Sequence, residues 1–247
     1  MRILVTNDDG IYSPGIVALA ELAAELGDVR IVAPAFEQSS TSMAITAARP
    51  LHYRRTKVGS FEAFRVDGTP ADCVALGAYN WDRVDLVFSG INLGLNVGSA
   101  MWHSGTLAGA KQAALLGIRG IAFSAPMPDD EDEKVDYAAL KPFGRKVVEA
   151  ILADRTIFLA NVNYPLSPGG VVWTRQSVRH YDGRVVADTD PMGRDHFWFT
   201  AVPVEATEEG TDRWAVERSL VSITPLRIDL TDEVALKHAR TTTGDSP

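Results

Sequence analysis

Apolar and polar positions come in alternating blocks along the first two-thirds of the chain. Residues 3–6 (ILVT) read as a buried strand that runs into Asn7, Asp8, Asp9 and Gly10. Ser13 and Pro14 then supply an N-cap and a first-turn proline. Apolar side chains recur at helical spacing at Ile16, Leu19, Ala20, Leu22, Ala23 and Leu26, and Gly27 fits a C-terminal cap. The rhythm continues with a strand over 29–33 stopped by Pro34, and a helix over 69–79 with Thr69 as cap and Pro70 in first position. A strand over 84–88, a helix over 106–116 closed by Gly117, a strand over 121–124, a helix over 142–152 and a strand over 157–161 follow.

Alternation of nearly continuous apolar strands with helices predicts an α/β fold, a mostly parallel sheet covered on both faces. Its ligands should gather at the carboxyl ends of the strands. After about residue 165 the pattern changes. The run VVWTRQSVRHYDGRVVADTD carries YDGR, a hairpin-turn signal, and DHFWFTAVPVEA is a further strand-like run with alternating aromatics. The acidic run PDDEDEKVD (128–136) reads as a solvated loop and TTTGDSP at the end as a frayed tail.

Composition narrows the function. Hydrophobic residues make up 46% of the 247, enough for a sizeable core, and the formal net charge is −8. That balance disfavours a nucleic-acid polymer or a membrane surface as partner, since both attract a basic face. No apolar stretch reaches about 18 residues, so no membrane span is expected, and residues 1–20 lack the pattern of a signal peptide. Cys73, the one cysteine, falls in a predicted helix and reads as a small buried side chain; a reducing cytoplasm fits.

The candidate chemistry lies after the predicted parallel strands. Asp8 and Asp9 follow the first. Ser39, Ser40, Thr41 and Ser42 follow the second. Asn92, Asn96, His103, Ser104 and Thr106 follow the strand at 84–88, among glycines and just before a helix. Adjacent carboxylates repel, and a cation is one remedy. Carboxylates, hydroxyls and amide carbonyls are hard oxygen ligands suited to Mg²⁺, Mn²⁺ or Ca²⁺. Glycines let backbone approach an anion, and a helix N-terminus offers it donors. Each piece alone has a bland reading as a turn, a polar loop or a helix cap. Three oxygen-rich loops at one sheet edge together read as a metal-assisted phosphate site.

Four segments in order, ILVTNDDGIYSPGI, VDGTPADCV, VFSGINLGLNVG and HSGTLAGA, resemble the SurE family of survival-protein phosphatases; NVNYP, TRQ and VSITPL continue the likeness more thinly. The resemblance implies a Rossmann-like three-layer α/β/α core over 1–165, and a β-rich part over 166–247, integrated with the core, whose extended hairpin arm exchanges between subunits of a homodimer or homotetramer. It implies a 5′-nucleotidase that hydrolyses nucleoside 5′- and 3′-monophosphates, with exopolyphosphatase as a secondary activity. It implies one divalent ion per subunit, Mg²⁺ or Mn²⁺, on Asp8, Asp9, Ser39 and Asn92. Asn96, Ser104, Gly105 and Thr106 match phosphate-binding or water-orienting positions, which makes Asp8, Asp9, Asn96 and Ser104 the catalytic set. The chain departs from the family at Ala35, Gln38 and Ser40, and at Leu95, where members often carry proline; these positions bear on substrate preference. Whether a carboxylate or a water attacks phosphorus stays open. So does a second reading, a non-enzymatic phosphate- or nucleotide-sensing switch domain with paired acids after its first strand.

Overall fold

The structure is a computed structural model that describes residues 1–128, 134–178, 182–202 and 208–243, with backbone alone at 182–183 and 200–202. In chain order the elements are β1 (Arg2–Thr6), α1 (Pro14–Ala24), β2 (Asp28–Pro34), β3 (Tyr53–Val58), β4 (Phe61–Val66), α2 (Pro70–Tyr79) and β5 (Leu86–Leu93). A 3-10 turn at Gly98–Trp102 leads to α3 (Gly105–Leu115), β6 (Arg119–Ala125), α4 (Tyr137–Ala153), β7 (Leu159–Asn163) and β8 (Gly170–Trp173). Then come β9 (Asp182–Thr189), β10 (Asp195–Val202), α5 (Asp212–Glu217), β11 (Leu220–Leu226) and α6 (Glu233–Thr243).

Nine strands form one sheet in the order β3-β4-β2-β1-β5-β6-β7-β11-β8. From β4 to β7 every pairing is parallel; β3 and β11 join antiparallel to β4 and β7. β8 then pairs parallel with β11, so part of the region after residue 165 extends this same sheet. Strand alternation splits the core. Ile3 and Val5 pack with Ile16, Leu19, Val147 and Val148 of α1 and α4, whereas Leu4 packs with Cys73, Val74 and Ala113 of α2 and α3. Successive side chains on a strand point to opposite faces, so β1 is buried on both.

From β1 the chain steps to β2 and β4 on one side, then crosses to β5 on the other. The carboxyl ends of β1 and β5 therefore flank a topological switch point, where an open α/β sheet leaves a crevice. Register sets Thr6 beside Ser89, and Asn92 beside Ser124 of β6.

Several expectations change. The β3–β4 hairpin is an edge whose charged residues mask its alternation. α4 begins five residues before Pro142, because the Asp136 carboxylate caps it by accepting from the Ala138 and Ala139 N–H groups. Residues 129–133 of the acidic run lie outside the described residues. Ser13 sits at the N-cap of α1 but makes no side-chain cap bond; its hydroxyl accepts instead from Asn7 Nδ2 at 2.7 Å. α1 ends at Ala24 with Glu25 as cap, and Gly27 serves close packing: a Cβ there would lie 2.0 Å from the Met1 carbonyl oxygen. YDGR does not form the hairpin turn. Its Asp182 and Gly183 pair with Val202 and Ala201 at the open end of the β9–β10 hairpin, and Tyr181 lies outside the described residues. The turn is DPMGR (190–194), where Asp190 accepts from the Met192 and Arg194 N–H groups and Gly193 takes φ +76. Thr241, Thr242 and Thr243 of the expected tail are helical in α6, and 244–247 lie outside the described residues. No helix of the described residues is long and apolar enough to cross a membrane.

Candidate active site

The NDDG turn follows β1 at the switch point. Asn7 Nδ2 donates to the Gly10 carbonyl at 2.9 Å as well as to Ser13, which fixes the turn on α1. Asp8 is buried. Burial raises its pKa, and the Thr106 hydroxyl, donating to Asp8 Oδ1 at 2.6 Å, partly offsets that. Asp9 is pushed up to about 7, first by burial and then by the Asp8 charge. Its Oδ2 is buried with no hydrogen-bond partner among the described residues. A buried carboxylate oxygen without a partner beside a second carboxylate is costly; a proton relieves part of that cost, and a cation would relieve both burdens.

Asp8 opens into a cleft of about 340 Å³ lined also by Ser39, Asn92, Asn96, His103 and Ser104. The Ser39 loop is anchored from two sides. Gln38 N–H donates to the Asp8 carbonyl at 2.8 Å, while Ser42 donates through its N–H to the His103 carbonyl and through its hydroxyl to the Trp102 carbonyl. Ser40 and Ser42 both take left-handed φ, +58 and +52, conformations such tethers must hold in place. Ser39 Oγ donates to Glu37 at 2.7 Å and keeps lone pairs for another partner. Asn92 donates its Nδ2 to the Gly94 carbonyl, which leaves Oδ1 as the acceptor end. Two carboxylates with neutral oxygens fit a hard divalent cation. No group of three or more His, Cys, Asp and Glu side chains that could hold a metal occurs among the described residues, so neutral oxygens would have to complete any such set.

The phosphate-type residues separate into two roles. Ser104 caps α3 by accepting from Leu107 N–H, lines the cleft, and has its own proton to donate. Thr106 is fully buried and turns its hydroxyl to Asp8, away from the role of side-chain phosphate ligand. Gly105 leaves room for Asp8: a Cβ there would lie 2.8 Å from Oδ2 and 3.0 Å from the Gln38 carbonyl oxygen. Asn96 donates its Nδ2 to Ser124 Oγ at 2.8 Å and to Thr106 Oγ1 at 3.3 Å, so one chain of bonds runs from β6 through Asn96 and Thr106 to Asp8.

Residues that carry no assigned role in the sequence motifs hold this arrangement. Asn161 and Asn163 of β7 both donate to the Asn96 carbonyl, and Asn163 Oδ1 accepts from Asn96 N–H at 2.8 Å. Their signal was the NVN spacing, two amides on one strand face at a strand's carboxyl end. Asp212 accepts from Gly98 N–H at 2.8 Å and from the Ser177 and Arg213 N–H groups, while Gln176 donates to the Gly98 carbonyl. The C-terminal region thus grips the segment that leads into α3.

Comparison with known proteins bears on the family and the fold. Residues 3–183 match the family model described as survival protein SurE. The chain is 46% identical over 238 residues to 5′-nucleotidase SurE 1 of Thermus thermophilus, covering 94% of this chain and 93% of that protein. It is 41% identical to 5′-nucleotidase SurE of Geobacter metallireducens, covering 98% and 97%. A crystal structure of the SurE protein from Aquifex aeolicus superposes with a TM-score of 0.83 at 37% identity, over 98% of this chain and all of that one. With the expected motifs at the switch point and the match spanning most of its length, the chain belongs to the SurE family.

Proposed function

We propose that this protein is a 5′-nucleotidase, a divalent-cation-dependent phosphomonoesterase that hydrolyses nucleoside 5′- and 3′-monophosphates. The observation that carries the reading is the unpartnered, buried Asp9 Oδ2 next to Asp8, whose own side opens on a cleft rich in neutral oxygens; Asp9 is not itself among the lining residues. The names of the relatives from Thermus thermophilus and Geobacter metallireducens support it. Asp8, Asp9, Ser39 and Asn92 would hold one Mg²⁺ or Mn²⁺ ion. When bound, such an ion supplies positive charge that neutralises the phosphate and the two carboxylates.

The chain's own residues position the ester. Thr106 fixes the orientation of Asp8. Ser104 offers its hydroxyl proton at the N-terminus of α3, where the helix dipole favours an anion. Asn161, Asn163 and Ser124 hold Asn96 at the cleft. Water replaces the nucleoside oxygen on phosphorus, and the task of the site is alignment and charge.

No Lys or Arg is among the described residues that line the cleft. Among the described lining residues a second or third phosphate would meet no cation, so ATP and polyphosphate should be slow substrates. A panel of AMP, 3′-AMP and ATP with Mn²⁺ or Mg²⁺, read as released phosphate, tests this. Faster release from ATP than from AMP, or full activity in EDTA, would refute it. The same panel separates the enzyme from a phosphate-sensing switch, which would release nothing.

We also place the protein in the cytoplasm, where its buried thiol needs no oxidising environment, and as at least a dimer. The β9–β10 hairpin is a two-stranded sheet on its own, with Val186 and Trp198 exposed on one face and Val185, Phe197 and Phe199 on the other. An isolated hairpin is marginal in water, and packing against a second copy would cover it. Light scattering at micromolar concentration tests the assembly; a monomer would refute it.

A further inference from the structure

The cleft has two chemical halves. Asp8, Ser39, Ser40, Asn92, Asn96, His103 and Ser104 make up its polar lining, the floor, and Leu93, Leu95, Ala100 and Phe199 its apolar lining, the rim. Phe199 comes from β10, more than 90 positions after the other rim residues. Its ring is 70% exposed and has no aromatic partner among the described residues. It shares a hairpin face with its cross-strand partner Val185 and with Phe197, whereas Trp198 and Val186 lie on the opposite face. Of its own face, Phe199 alone lines the cleft among the described residues.

We infer that Phe199 is a specificity-determining residue: its ring stacks on the base of a bound nucleotide while the polar floor holds the phosphate. This rests on the nucleotidase reading and adds the element that distinguishes a nucleotide from a plain sugar phosphate. A flat apolar ring recognises any base by its π-face, so the preference is for a base over none, with small differences among bases.

The readout is the ratio of kcat/KM for AMP to that for ribose 5-phosphate, which keeps the ester and lacks the base. Phe199→Ala should lower that ratio about 5- to 160-fold, the span of one base–aromatic stack. Phe199→Trp should preserve it, because it keeps a π-face. Phe199→Leu keeps the bulk without the π-face and should also lower the ratio. It decides the matter if circular dichroism shows the alanine variant unfolded. A ratio unchanged in both the alanine and leucine variants would overturn the inference, as would a Trp variant no better than Ala. If the unaltered protein releases phosphate from neither ester, the nucleotidase reading itself fails, and that result is distinct from an unchanged ratio.

Discussion

The Thr106 hydroxyl donates a 2.6 Å hydrogen bond to Oδ1 of Asp8, across 98 positions of sequence. Thr106 Oγ1 accepts in turn from Asn96 Nδ2, and its one proton, committed to Asp8, orients the carboxylate. Thr106→Val removes the donor and keeps the shape. It should weaken cation binding or turnover about 10- to 100-fold, the usual cost of losing a group that orients a ligand. Thr106→Ser should retain most of both. Calorimetric Mn²⁺ titration with phosphate release checks this; a valine variant that binds and turns over like the parent would show that the bond does not matter.

Gly105→Ala puts a Cβ against Asp8 and the Gln38 carbonyl, of which the second is backbone. One of the two loops must shift. The expected cost is about 1–3 kcal/mol of stability, with activity lost beyond what that predicts. Urea unfolding beside kinetics at low temperature separates the two effects.

Asp8→Asn and Asp9→Asn should each nearly abolish turnover while the fold survives. Each removes a charge that the metal-free protein holds at a cost, so the metal-free variants should melt a few degrees higher, roughly 2–8 °C. Ser39→Ala and Asn92→Ala, which remove neutral oxygens, should weaken cation binding more mildly. Full activity of Asp9→Asn at limiting metal would refute the ligand assignment.

Burial and the Asp8 charge lift Asp9 from its ordinary 3.8 to about 7, and burial raises Asp8 as well. A raised carboxylate pKa means that the folded state holds the proton more tightly than the unfolded one. Between about pH 4 and 7 the metal-free protein should therefore lose stability as pH rises. Saturating Mg²⁺ or Mn²⁺ should restore it at pH 8 and much less at pH 5, where protons compete for the same oxygens. Differential scanning calorimetry with and without EDTA measures this; a metal-free melting point that rises from pH 5 to 8 would contradict it.

Asp212→Ala leaves the N–H groups of Gly98, Ser177 and Arg213 without their carboxylate. A loss of about 2–5 kcal/mol is expected. Turnover should fall too, because Gly98 begins the segment that ends at His103 and Ser104. Asp212→Asn, which keeps acceptor capacity, should recover part of both. Unchanged turnover in a folded alanine variant would show that the segment holds its place unaided.

Much of the fold was legible because its signals are local. β1, β2, β5 and β6 are apolar runs buried on both faces. α2 carries a full capping box, with Thr69 Oγ1 accepting from Asp72 N–H and Asp72 accepting from Thr69 N–H. The β3–β4 edge and the end of α1 were misread or missed where charged residues sit on strands, or where a glycine is needed for packing against a distant residue. The hairpin turn was misplaced because Asp-Gly, though a strong turn signal, lost to DPMGR, in which Asp190 satisfies two N–H groups at once.

For the candidate site, the sequence by itself determined which loops carry the oxygen-bearing side chains and that they end parallel strands, since strand order and helix alternation bring carboxyl ends to one edge. Only the tertiary structure decided what each side chain does there. Thr106 turns to Asp8, the Asn161–Asn163 pair holds Asn96, Asp212 grips Gly98, and Phe199 reaches the rim from the hairpin. These relations join residues tens of positions apart. Hydrogen bonds and close contacts act through a few ångströms of space, so spacing along the chain cannot encode them where no periodic element links the partners.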